Sequence, residues 1–115
     1  MNYKKIIEEQ VILALKTVYD PEIPVSIYDL GLIYEIDLVP LEKEELIVGL
    51  PIVNVILTMT LTSPNCPVAE SLPSEVEERV NLLSNINKCK VIITFDPPWD
   101  RDYMSEEAKL ELGML

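Results

Sequence analysis

Two β-rich apolar runs, 52–61 (IVNVILTMTL) and 88–95 (KCKVIITF), are separated by a stretch in which Leu72, Val76, Val80 and Leu83 recur at helical spacing. A strand, a helix and a strand in that order predict two parallel strands joined by a right-handed crossover. A helix over 67–84 is about 27 Å long at ~1.5 Å per residue, and a strand over 89–96 about 26 Å at ~3.3 Å per residue. The second strand therefore finishes beside the start of the helix. Thr62 to Cys66 and Asp96 to Trp99 then share the carboxyl edge of the sheet, where such folds tend to place ligands.

The flanking segments complete the architecture. Ile7, Val11, Ala14 and Val18 mark an amphipathic helix over 3–18, which Pro21 ends. Residues 32–39 read as a strand that forms a hairpin with 52–61, and 46–48 extend it. Pro73 predicts that the second helix bends or begins near Ser74. Ser105 as N-cap, Glu106 and Glu107 in the first turn and Gly113 as C-cap predict a short terminal helix. The order α-β-β-α-β-α is an α+β arrangement: a small mixed sheet of about three or four strands with helices packed on it. Because the hairpin is antiparallel, the start of 32–39, and with it Asp20, Glu22 and Asp29, falls at the same edge.

With 115 residues and 49% apolar content, one domain over 1–115 can bury a core without staples. A net charge of -11 argues against nucleic acid and anionic membranes as partners. No signal core and no membrane-length apolar run are present, which predicts a cytoplasmic protein with reduced thiols. The chain contains no histidine, so acid–base work falls to carboxylates, Lys or Tyr.

Of two cysteines, Cys89 fits the apolar alternation of its strand and predicts packing. Cys66 in SPNCP has two readings. As N-cap with Pro67 at the first helical position, its sulfur faces free amides that favour thiolate, the form that attacks electrophiles and ligates soft metals. As a small buried hydrophobe it only packs. The two cysteines lie about 25 Å apart at the same helical rise, too far for a disulfide. One thiol per site falls short of the four a stable iron–sulfur cluster usually takes, so any cluster is shared, transient or completed by other ligands. A homodimer would supply a second thiol. The carboxylates of DPE and DPPWD suit metal binding, base chemistry or plain turn formation, and Trp99 after two prolines suits a rigid lid over the core edge.

Three stretches, DPEIPVSIYDLGLIYEI at 20–36, MTLTSPNCPVAE at 59–70 and FDPPWDRDYMSEEAKLELG at 95–113, together resemble the SufT/PaaD-like family of iron–sulfur cluster assembly accessory proteins. The resemblance implies that Cys66 is the reactive cysteine and the transient metal or cluster contact. It also implies that Asp20, Glu22, Thr62 and Ser63 are polar positions around it and that Asp96, Pro97, Pro98 and Trp99 are the family's DPPW loop. With Asp29, which strand direction brings to the same edge, Asp96 and Trp99 make a candidate rim. It implies an accessory factor, not an enzyme, that works with iron–sulfur assembly proteins and apo-protein clients. Iron or a cluster is then passing cargo, with no permanent cofactor. A cysteine-bearing C-terminal extension, as in phenylacetate-pathway relatives, has no counterpart after LELG, and PLEKEELIVGLP is long for the family. Two other classes stay open: a metal-independent adaptor that recruits clients through its acidic surface and the DPPW rim, and a thiol enzyme with Asp20 or Glu22 as base.

Overall fold

The structure is a computed structural model that describes residues 3–20, 23–41, 46–47, 49–62 and 71–113. Helix α1 spans Tyr3–Leu15, strands β1 to β4 span Ile33–Pro40, Leu46–Ile47, Leu50–Pro51 and Val53–Met59, helix α2 spans Ser71–Asn81, strand β5 spans Ile86–Ile93, and helix α3 spans Glu106–Glu111. The main sheet has the order β1-β4-β5. β1 is antiparallel to β4 and β5 parallel to it, which is the mixed sheet and crossover that the sequence predicts.

Period-two alternation in β4 turns Val53, Val55, Leu57 and Met59 into the core. α2 lies against β5 and α1 against α2 and β1, so the helices close one face of the sheet. Leu72, Val76 and Val80 of α2 are buried there, each contributing about 1.5–3 kcal/mol of transfer free energy. The free edge of β5 is closed by side chains. Asn81 Oδ1 accepts from the Cys89 N–H at 2.8 Å and Glu77 Oε2 from the Val91 N–H at 2.8 Å. Amides that would otherwise offer a template for another strand are thereby satisfied.

Several expectations are corrected. α1 stops at Leu15, not at residue 18. Its last turn tightens through Thr17 N–H to Ala14 O and Val18 N–H to Leu15 O, and the Thr17 hydroxyl also donates to Ala14 O at 2.6 Å. These bonds consume the carbonyls that a further turn needs, and Val18 reaches the core from outside the helix. Residues 46–47 do not lengthen the main hairpin. They pair with 50–51 in a separate two-stranded ribbon, turned at Gly49 with φ +75°. The third long strand runs Ile86–Ile93 in place of 88–95, because Ile86 pairs with Val53. α2 passes through Pro73 with no delay to Ser74. The terminal helix starts as expected, with Ser105 Oγ accepting from Ala108 N–H.

Candidate functional site

Three chain segments meet at the carboxyl edge of the sheet. Ile33 opposes Met59 and Met59 opposes Ile93, so the start of β1 and the ends of β4 and β5 lie side by side. Pairing continues past the strand ends through Thr60 N–H to Leu32 O at 2.8 Å and Thr94 N–H to Met59 O at 2.9 Å. Just beyond β4, Thr60 is fully buried and Thr62 half-buried. Cys66, Ser63 and Glu22, the remaining expected site residues, lie outside the described residues.

A bulge shapes the β1 side of this edge. The register passes from Ile33 opposite Met59 to Glu35 opposite Thr58, leaving Tyr34 as the extra residue. Bulges re-aim side chains, and the Tyr34 hydroxyl donates to Pro97 O at 2.8 Å. Its ring meets Tyr103 edge to face at 5.9 Å between centroids. Burial pushes the Tyr34 phenol above its ordinary pKa, the Thr60 hydroxyl opposes this, and Tyr103 adds to it. Gly31, Ile33, Tyr34, Pro97 and Tyr103 line a groove of about 430 Å³. Gly31 has φ +78°, and a Cβ there would meet the Tyr103 backbone, so only glycine admits this approach.

Trp99 is half-buried against the core and donates from Nε1 to Leu30 O at 2.7 Å. It acts as a lid over the core edge. Asp96 is exposed, and its backbone is held by Thr94, whose Oγ1 accepts from Asp96 N–H and donates to Asp96 O. Asp29 accepts from Ser26 Oγ at 3.0 Å and from Ser105 Oγ at 3.1 Å, so its carboxylate ties the 23–31 segment to the cap of α3. Asp20 is 7% exposed and accepts from Ile23 N–H at 3.2 Å. The edge thus unites Trp99, Asp29 and the Asp96 loop through Leu30, Ser105 and Tyr34. Among the described residues no group of three or more Cys, Asp or Glu side chains converges as a metal set.

Sequence reasoning missed Tyr34, Gly31, Thr60 and Tyr103. Only Gly31 left a signal, as one of three glycines in the chain. Cys89 is buried, as its strand alternation predicts, with its thiol pushed up to about 12, first by burial and then by the Glu77 charge. Among the described residues no helix is long and apolar enough to cross a membrane.

The chain is similar to known proteins over most of its length. The family described as iron–sulfur cluster assembly protein matches residues 8–93. A Porphyromonas gingivalis protein named Fe-S protein maturation auxiliary factor is 47% identical over 108 residues, covering 94% of this chain and 92% of that one. The Staphylococcus aureus Fe-S protein maturation auxiliary factor SufT is 34% identical over 97 residues, covering 84% and 98%. Among solved structures, a DUF59 domain from Bacillus anthracis superposes with a TM-score of 0.78 at 31% identity, covering 96% of this chain and 95% of that one. By family match, identity and fold, the chain belongs to the SufT-like iron–sulfur cluster assembly protein family.

Proposed function

We propose that this chain is an accessory factor in iron–sulfur protein maturation, working in the cytoplasm with assembly proteins and apo-protein clients. In this reading Cys66 makes transient contact with iron or a cluster, which is cargo and not a resident cofactor, and Asp20, Glu22, Thr62 and Ser63 support it. The observation that carries the reading is the convergence of three segments at one sheet edge, with Thr62, four residues before Cys66 in the sequence, just beyond the end of β4. The names of the Porphyromonas gingivalis and Staphylococcus aureus relatives support it. A soft thiolate suits iron, and one such ligand per chain favours hand-over above permanent binding.

The test is anaerobic cluster transfer to an acceptor apo-protein, followed by the acceptor's visible absorbance. Wild type should accelerate transfer and Cys66→Ser should not. Equal acceleration by both ends the proposed thiol role.

A second reading, a metal-independent adaptor, is favoured by the groove of Gly31, Ile33, Tyr34, Pro97 and Tyr103 beside the same edge. A pull-down with metal-free Cys66→Ala protein separates the two. Clients retained at wild-type level support the adaptor, and clients lost on removing the thiol support the metal-contact reading.

A further inference from the structure

The face of the main sheet turned away from the helices carries a polarised charge pattern. Across the strands it reads Glu35, Thr58, Ile92, then Asp37, Ile56, Lys90, then Val39, Asn54, Lys88. The acids stand on β1, the lysines on β5, and the middle strand is uncharged. Val39 is 40% exposed and Ile92 45%, and a hollow of about 250 Å³ lies over Val39, Asn54, Ile56, Lys88 and Lys90. Among the described residues the ion pair Lys109–Asp102 is the only one found, so the face's acids and lysines are not paired with one another.

We infer that two copies of this chain stack through this face about a two-fold axis parallel to β4. Such an axis keeps position along the strand and exchanges left with right. Asp37 of one copy therefore lies over Lys90 of the other, twice, while Ile56 meets Ile56 and the Lys88 stem covers Val39. Stacked sheets sit about 10 Å apart, a gap that an aspartate and a lysine side chain reach across together. The other in-plane axis lays β1 over β1 and β5 over β5, setting acids against acids and lysines against lysines, which like-charge repulsion disfavours. Edge-to-edge association is blocked at β5 by Asn81 and Glu77. At β1 it is opposed by the same two acids.

Three strands of about seven paired residues give a face about 14 Å by about 23 Å, roughly 320 Å², small against the roughly 800 Å² per partner of a standard interface, so the association is transient and salt-sensitive. The chosen axis also brings the carboxyl edges of both copies, with Thr62 and Trp99, to one end. The inference stands independently of the maturation role.

The test is sedimentation over chain concentrations from ~10 μM to ~1 mM at low and high salt, a range that reads weak dissociation constants. Wild type should shift from one chain toward two as concentration rises, less so in high salt. Asp37→Lys and Lys90→Asp should each weaken association at least ~10-fold, since each sets like charges face to face twice. An equimolar mixture of the two variants should regain association, because each then meets its opposite. A monomer throughout, a dimer indifferent to both substitutions, or a mixture no better than its components overturns the inference. Both positions are exposed, and unchanged melting of the variants keeps folding out of the result.

Discussion

The buried thiol offers a quantitative test of the core. Cys66→Ser leaves Cys89 as the only thiol. Cys89 is 3% exposed, and its thiol is raised from 9.0 to about 12. At pH 8 a thiol of ordinary pKa is about one-tenth thiolate and one at 12 about 10⁻⁴, a ~1,000-fold loss of the attacking form. The more basic thiolate is the better nucleophile: a Brønsted slope of ~0.4–0.5 over three units returns a factor of ~15–30. Ionisation alone should therefore slow disulfide exchange ~30- to 60-fold, and steric closure slows it further. The assay is reaction of the native variant with an aromatic disulfide, read by absorbance of the released thiolate and compared with the same protein in urea. Native and unfolded rates within a factor of two would falsify the burial of the Cys89 side chain on the core face of β5.

Other outcomes follow from the same geometry. Gly31→Ala sets a Cβ against the Tyr103 backbone at positive φ. Left-handed strain alone costs about 1–2 kcal/mol, so thermal melting should fall by at least ~4 °C, and an unchanged Tm refutes the close approach. Trp99→Phe removes the Nε1 bond to Leu30 O and leaves a buried acceptor. A loss of ~1 kcal/mol in urea unfolding is expected. The pH dependence of Cys89 has a definite sign. Its pKa is raised in the fold, so its contribution is complete below about 9, the unfolded value, and is lost as pH rises toward about 12. Cys89→Ala should flatten the alkaline fall in urea stability between those values, and an equally steep fall contradicts the assignment.

Elements set by local rules were readable in advance. The Ser105 cap depends on a hydroxyl three residues from its amide, and the α2 stripe and β4 alternation depend on period alone. The crossover followed from element order, because a helix between two strands leaves few ways to return the chain. The end of α1 was misjudged because Pro21 is a louder signal than a threonine that bonds back three residues. The stretch DPEIPVSIYDLG at 20–31 reads as a loop, yet Val25, Ile27 and Leu30 are in the core, since no period marks buried positions in an irregular segment.

The candidate edge divides along the same line. That Asp29, Trp99 and the DPPW loop share one rim follows from strand directions, and the sequence alone determined it. That Asp29 is held by two serines, that Tyr34 occupies a bulge and clasps Pro97, and that Trp99 closes on Leu30 were decided only by the tertiary structure. Periodicity is a property of neighbours a few residues apart, whereas the Tyr34 and Trp99 bonds join segments more than sixty residues apart. Their partners are chosen when the sheet closes against its helices, by packing and hydrogen-bond satisfaction that no local pattern encodes.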